Sequence, residues 1–193
     1  MKRNLWFALA LCGGLALADE PARQDRPEEP GKPPVASLPA AAQMPPNVTL
    51  VEARMSRAAL HALNATSGIR LPRIQLYTAQ YQQVLHAIGW EEGTPGRVRD
   101  VVARVPPRVK SGTRLEKVVD GLEDPATGAP LAIAALPPAD FYLVTGWAGW
   151  CLPCGTAMVE LRKVLEADAS RRYVWITIET DVIKQKLQKQ TIR

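Results

Sequence analysis

The chain has 193 residues, of which 24 are basic and 19 are acidic, and its formal net charge is +5. This charge balance is ordinary, and no dense run of lysine and arginine with interleaved aromatic residues occurs along the sequence. The composition therefore gives nucleic-acid binding no support.

The N-terminus has the pattern of a secretory signal. Residues 1–18 join a basic start, Lys2 and Arg3, to an apolar run from Leu5 to Ala18. That run has about 14 residues, whereas a membrane-spanning helix needs roughly 20. We therefore predict a cleavable signal peptide and no stable membrane span, with a short signal anchor as the alternative.

Removal of that segment would change the cysteine content. Cys12 would leave with the signal peptide, so the mature chain, with 22 basic and 19 acidic side chains, would hold only Cys151 and Cys154. Disulfides persist in the compartments to which proteins are exported, so this close pair is either an oxidised staple or a redox couple. A disulfide that closes so small a loop restricts the unfolded chain little, so stabilisation of the fold is a weak explanation for the pair.

Residues 19–46 are rich in proline, alanine and charged side chains and contain almost no large apolar residue. This composition predicts an extended, disordered linker. A polyproline recognition motif is the alternative, which composition alone favours less.

Residues 47–120 have a pattern that predicts a mostly helical region of unknown role. Apolar residues fall on one helical stripe in two of its segments, and a third segment begins with a plausible cap and has a glycine near its end. Two further segments carry glycine and proline and are typical of turns and loops. The predicted helices are 50–64, 73–89 and 111–124, and the predicted loops are 91–100 and 105–110.

The last third of the chain predicts a strand, a helix and a second strand. Residues 141–147 and 172–181 are apolar runs suited to buried strands, and 155–170 place apolar residues on one helical face. This order is a βαβ unit, in which the two strands are expected to be parallel with a right-handed crossover. Cys151 and Cys154 would then lie at the carboxyl end of the first strand, where open α/β sheets usually carry their chemistry.

The spacing of the cysteine pair admits several chemistries. A structural zinc site needs four ligands, and a second half with the required spacing is absent from the sequence. Covalent haem attachment needs a histidine directly after the second cysteine, and Gly155 occupies that position. Thiol chemistry is therefore the best supported interpretation.

The start of a helix suits such chemistry. Its unpaired N–H groups and positive dipole end stabilise a thiolate, so Cys151 is the expected nucleophile, and such thiols have pKa values lowered to about 3.5–7.5. Cys154, one turn further on, is placed to resolve a mixed disulfide. Pro153 fits a first helical turn. Trp150 and Trp147 would shield the site and offer an apolar surface, with core packing as the alternative for Trp147.

The stretch from Phe141 to Asp181, with its strand, WCxPC motif, helix and second strand, resembles the thioredoxin-like family. Residues 124–139 are similar to the hairpin and loop that lead into this strand in the exported, TlpA-like branch of the family. The resemblance covers residues 121–193 and implies an α/β fold, a partial thioredoxin-like domain, preceded by the helical region and the linker.

The resemblance also implies an activity. Cys151 takes the family's nucleophile position and Cys154 its resolving position, while Trp150 and Pro153 match the motif. The implied function is that of an exported, periplasmic thiol-disulfide oxidoreductase. Its partners would be protein thiols and disulfides of the cell envelope and a membrane or periplasmic redox partner, and its only redox group would be the cysteine pair, without a further cofactor or metal.

The sequence departs from the family's pattern in three places. Thr145 stands where many thioredoxins bury a carboxylate that accepts protons, and neither Val159 nor Glu160 is the proline that bends the family's helix. The chain also ends near the point where the family continues with a cis-proline loop, two antiparallel strands and a last helix. The edge of the sheet is then expected to be open, unless the region after Asn47 or a partner covers it, and we favour truncation as the explanation.

These departures leave a second function open. The chain would then be a non-catalytic component of an envelope or secretion assembly, with the incomplete redox fold as a scaffold. A metal carrier that uses the dithiol is a third possibility, and it would need an added ligand.

Overall fold

The computed structural model describes residues 44–66, 69–105 and 112–181. The predicted signal peptide, residues 19–43 of the predicted linker, and residues 106–110 of a predicted loop lie outside these ranges. Among the described helices, none is long and apolar enough to cross a membrane.

The described residues form a mixed α/β fold with one six-stranded sheet and four α-helices. The sheet has the strand order β3-β2-β5-β6-β1-β4, in which β5, β6 and β1 are parallel neighbours and the other pairs are antiparallel. In chain order the elements are β1 (Val48–Met55), α1 (Arg57–Thr66), β2 (Arg73–Thr78), β3 (Gln83–Ile88), α2 (Thr94–Ala103), α3 (Leu115–Val119), β4 (Leu122–Glu123), β5 (Phe141–Trp147), α4 (Leu152–Ala167) and β6 (Tyr173–Glu179).

The predicted βαβ unit is confirmed in its elements and in its strand direction. Strand β5 pairs in parallel with β6, from Phe141 opposite Tyr173 to Trp147 opposite Glu179. All seven residues of β5 are buried, as a strand covered on both faces requires. Helix α4 connects the two strands and buries Met158 and Leu161 against one face of the sheet.

The two faces of the sheet have separate apolar cores. On the face covered by α4, the core also contains Val98 and Val102 of α2. On the opposite face, Leu115 and Val119 of α3 pack with Val144 of β5. Strands β1, β2, β5 and β6 therefore supply side chains to both cores.

The prediction of a mostly helical region over residues 47–120 is wrong, because three of the six strands lie in it. The first predicted helix, 50–64, is a strand up to Met55 and a helix only from Arg57. Ser56 separates the two, and its Oγ accepts a hydrogen bond from the backbone N–H of Ala59 at 3.2 Å. This is an N-cap, which restarts the chain as a helix after a strand.

The second predicted helix, 73–89, is the hairpin formed by β2 and β3. Its turn carries no glycine or asparagine, and Tyr81 takes the left-handed conformation at φ 62° instead. The ring of Tyr81 packs edge-on against Tyr142 at a centroid distance of 5.3 Å, and its carbonyl accepts from the N–H of Leu115 at 3.1 Å. Tertiary contacts therefore hold a turn that the local sequence does not signal.

The predicted loop over 91–100 is also wrong in part, because α2 begins at Thr94. Pro95 lies in its first turn, where a missing N–H costs nothing. Val98 and Val102, one turn apart, are buried and define the packed face of this helix. The short helix predicted within 111–124 is confirmed as Leu115–Val119, with Gly121 two residues beyond its end.

The expectation of an open edge beside β5 is wrong. Strand β2 pairs antiparallel with β5 over its full length, from Arg73 opposite Gly146 to Thr78 opposite Phe141. Strand β3 extends the sheet beyond β2. The region after Asn47 therefore covers this edge, as one of the three explanations considered for it requires.

Asn47 connects the start of β1 to the end of α4. Its side-chain amide donates hydrogen bonds to the carbonyl oxygens of Leu165 and Asp168, both at 3.0 Å, and of Arg171 at 3.2 Å. The last carbonyls of a helix lack the usual intrahelical donor, and this side chain adds a donor to the carbonyls of Leu165 and Asp168, which also accept from the N–H groups of Asp168 and Arg171.

Replacement of Asn47 by alanine is expected to destabilise the fold by about 1–3 kcal/mol, because part-buried carbonyl groups lose a donor. The measurement is the free energy of unfolding from chemical denaturation. The exposed Gln82→Ala is the control and should change that energy by less than about 0.5 kcal/mol. Equal effects of the two variants would contradict this role of Asn47.

Candidate functional site

The cysteine pair lies at the junction of β5 and α4, as the sequence predicts. Strand β5 ends at Trp147, and Cys151 is the N-cap residue of α4 with an extended backbone at φ −83° and ψ 95°. The N–H of Cys151 donates to the carbonyl of Ala148 at 3.0 Å, which closes the turn between strand and helix. Pro153 lies in the first helical turn, where the ring fixes φ without the loss of a hydrogen bond.

Cys151 and Cys154 form a disulfide with a Cα–Cα distance of 5.4 Å. The N–H of Cys154 donates to the carbonyl of Cys151 at 3.1 Å, so the bridge spans one turn of backbone. The exposed fraction is 4% for Cys151 and 0% for Cys154. Both cysteines are therefore buried in the core, and only Cys151 keeps a small accessible area.

The electrostatic environment of Cys151 is that of a helix N-terminus with no opposing charge nearby in the helix. Helix α4 has 16 residues and carries no acidic residue in its first turn. Its unpaired N–H groups and the positive end of its dipole favour an anion at the N-cap position. After reduction of the disulfide, this field would act on the thiolate of Cys151 and oppose its protonation.

Two large apolar side chains flank the first cysteine at the surface. Trp150 is 55% exposed and Leu152 is 62% exposed. Trp147, by contrast, is buried in the core beneath the pair, and its carbonyl accepts from both the N–H and the Oγ of Thr180 at 2.9 Å. Core packing therefore accounts for Trp147, while Trp150 and Leu152 form an apolar surface around Cys151.

The interior beneath the pair is polar but carries no charge. The Oγ1 of Thr145 accepts a hydrogen bond from the indole N–H of Trp175 at 2.9 Å and donates to the sulfur of Met158 at 3.6 Å. Thr177 faces Thr145 in the register of the parallel strands, and its buried hydroxyl has no hydrogen-bond partner. Neither threonine can accept a proton as a carboxylate would.

Sequence reasoning missed the segment that approaches the site from β2. Leu71 and Pro72 directly precede β2, which pairs with β5 as far as Gly146 opposite Arg73. Leu71 packs against the core that contains both cysteines, and the peptide bond from Leu71 to Pro72 is cis. The available signal was the alternation of polar and apolar residues from Arg73 to Leu76, which is typical of a strand.

Comparisons with known proteins do not assign the chain to a family: no family model matches it, and no curated protein and no solved structure is significantly similar to it. Within the described ranges, no group of three or more histidine, cysteine, aspartate or glutamate side chains could hold a metal ion. The candidate site therefore rests on the geometry of the cysteine pair and its surroundings.

We expect opposite effects on the free energy of unfolding when each of the two buried threonines is replaced by valine. Thr145→Val removes the acceptor of the indole N–H of Trp175 and should cost about 1–3 kcal/mol, because a buried donor is left unpaired. Thr177→Val removes a hydroxyl that has no partner and should be neutral or stabilising. Free energies of unfolding from denaturant titrations of the oxidised proteins test the pair. A larger loss in Thr177→Val than in Thr145→Val would refute this description of the interior.

Proposed function

We propose that the protein is an exported, periplasmic thiol-disulfide oxidoreductase that works through Cys151 and Cys154. The observation that carries the proposal is the disulfide at the N-terminus of α4, in which Cys151 keeps a small accessible area and Cys154 is fully enclosed. A pair in this position combines a stabilised thiolate with a resolving thiol one turn away. The exported location rests on the sequence of residues 1–18.

We further propose that the fold is thioredoxin-like with its elements in a changed chain order. In the family, a cis-proline loop, two antiparallel strands and a helix follow the βαβ unit that bears the cysteines. Here Pro72, the β2–β3 hairpin and α2 precede that unit. Strand β2 pairs antiparallel with β5, and α2 packs on the same face as α4. An element order rotated along the chain would account for both the family resemblance of residues 141–181 and the pairing of β5 with a strand from earlier in the chain.

The reaction proceeds in two exchange steps. The thiolate of Cys151 attacks one sulfur of a substrate disulfide, forms a mixed disulfide and releases one substrate thiolate. Cys154 then attacks the sulfur of Cys151, closes the Cys151–Cys154 bond and releases the second substrate thiolate. Two electrons pass from the dithiol to the substrate, and both substrate sulfurs end as thiols. The reverse sequence oxidises a substrate dithiol.

Proton transfer in this site differs from that in family members with a buried carboxylate. Thr145 cannot take the proton of Cys154, and Thr177, its neighbour across the strands, is also neutral. Cys154 is fully buried, and the substrate thiolate released in the first step is a base that the substrate itself brings to the site. We propose that this thiolate, or water admitted with it, accepts the proton.

The exposed side chains beside Cys151 suit a protein substrate. Trp150 and Leu152 together present an apolar patch at the point of attack, and aromatic side chains contribute strongly to protein contacts. The substrates would be disulfides or thiols of other envelope proteins, and a membrane or periplasmic redox partner would restore the starting state.

The proposal predicts different defects for the two cysteines. In an insulin-reduction assay with glutathione, Cys151→Ser should lose all activity, because the attacking sulfur is absent. Cys154→Ser should also fail to turn over but should accumulate a mixed disulfide through Cys151, visible as a reducible adduct in mass spectra. The surface variant Val159→Ala, one turn beyond the pair in α4, is the control and should retain wild-type activity.

The non-catalytic alternative, which the neutral Thr145 favours, gives the opposite outcome. Wild type and Cys151→Ser would be equally inert, no adduct would form in Cys154→Ser, and a pull-down would retain the same envelope partners after both cysteines became serine. That combination of results would overturn the proposed activity.

A further inference from the structure

A cavity of about 640 Å³ lies on the face of the sheet opposite α4, between the strands and helices α1 and α3. Its apolar wall includes Leu63 of α1, Ile69, Val144 of β5 and Ile178 of β6. The volume lies within the range of roughly 300–1,000 Å³ that is typical of small-molecule sites. Because β5 and β6 separate it from the cysteine core, this cavity is distinct from the candidate redox site.

Two polar side chains of β2, Arg73 and Gln75, line this cavity. They are two residues apart, so both face the same side of the sheet. Gln75 is 6% exposed. The Nε of Arg73 is buried and has no hydrogen-bond partner among the described residues. An unpaired buried donor is unfavourable, and a bound acceptor would pair with it.

The charged side chains among the described residues that line the cavity are all cationic. Arg70 and Lys117 line it together with Arg73, and no aspartate or glutamate is among the described residues that line it. None of these three cations forms an ion pair with a residue in the described ranges. The cavity therefore complements an anion whose remaining surface is apolar.

Gly146 keeps the space beside Arg73 open. It lies opposite Arg73 in the strand register and lines the cavity. A side chain at this position would contact Arg73 and Leu71 from its first carbon, at 3.4 and 3.5 Å, and any longer group would narrow the cavity where the guanidinium lies.

We propose that this cavity binds a single-chain amphiphile with a carboxylate head, a ligand of the fatty-acid class. The planar guanidinium of Arg73 matches a carboxylate with two parallel hydrogen bonds, and the Gln75 amide supplies a further donor. The alkyl chain lies against Leu63, Ile69 and Ile178, where its burial is favourable in proportion to its apolar area. The proposal does not depend on the redox activity.

Three ligands with the same chain and different heads test this assignment on the unmodified protein. Isothermal titration of the full oxidised chain with decanoate should show one saturable site. Decanol should bind at least about tenfold more weakly, because it lacks the charge-assisted hydrogen bonds, and decyltrimethylammonium should not bind. Equal affinity for decanoate and decyltrimethylammonium, or no binding of decanoate, would overturn the proposal.

Variants then locate the site. Arg73→Met should weaken decanoate by about tenfold or more while it leaves decanol unchanged, because only the head group loses its partner. Gln75→Leu should act in the same direction with a smaller effect. Arg99→Met, on the exposed side of α2, is the matched control and should leave both affinities unchanged.

If Arg73→Met does not fold, photolabelling of the unmodified protein locates the site. In that case a diazirine-bearing decanoate is photolysed with the unmodified protein, and the labelled peptides are expected to contain Leu63, Ile69 or Ile178. Label confined to the surface around Trp150 and Leu152, or equal losses in Arg73→Met and Arg99→Met, would contradict the assignment. The Cys151→Ser variant should bind decanoate as the wild type does, which separates this inference from the proposed redox function.

Discussion

The pairing of strand β5 on both of its edges is the constraint on which the rest of the structure depends. Its seven residues are buried and are hydrogen-bonded to β6 on one side and to β2 on the other. The pairing of β5 with β2 ends at Gly146, and its pairing with β6 ends at Trp147. The chain therefore leaves the sheet directly after these residues. The turn that follows brings Cys151 to the N-cap of α4, so the reactivity proposed for this sulfur is set by the register of a strand.

The sequence determined the C-terminal half of the fold more clearly than the N-terminal half. Strand β5, helix α4 and strand β6 were predictable because continuous apolar runs and a helical stripe signal buried elements over short distances. The hairpin β2–β3 was not, since its turn depends on Tyr81 at positive φ and on the contact of that ring with Tyr142, more than sixty residues away. No local pattern encodes such a turn.

The cysteine pair could be located from the sequence, whereas its surroundings could not. The WCxPC spacing and the following helical stripe were sufficient to place Cys151 and Cys154 at a helix start. The approach of Leu71 to Gly146 required knowledge that a strand from earlier in the chain pairs with β5. The burial of Trp147 and the exposure of Trp150 follow from the same pairing, because one tryptophan ends the buried strand and the other lies in the turn after it.

Strand β2 links the two parts of the molecule to which we assign chemistry. Leu71, which precedes it, packs against the core that contains the cysteines, and Arg73 and Gln75 line the cavity on the opposite side of the sheet. The buried side chains of Thr145 and Thr177, which lie on the same face of the sheet as the cysteine core, are neutral. A reduced Cys151 would therefore owe its ionisation to the backbone of α4, since none of the described residues is a buried carboxylate.

The pH dependence of Cys151 alkylation in the reduced chain tests whether the N-terminus of α4 keeps the thiol of Cys151 ionised near neutral pH. The rate of modification by iodoacetamide, followed in the peptide that contains Cys151 and with Cys154 replaced by serine, reports the thiolate fraction at each pH. We expect a half-maximal rate at a pH between about 3.5 and 7.5, because the N-terminus of α4 stabilises the anion. A half-maximal rate at or above pH 8.5, the approximate pKa of an ordinary cysteine thiol, would contradict it.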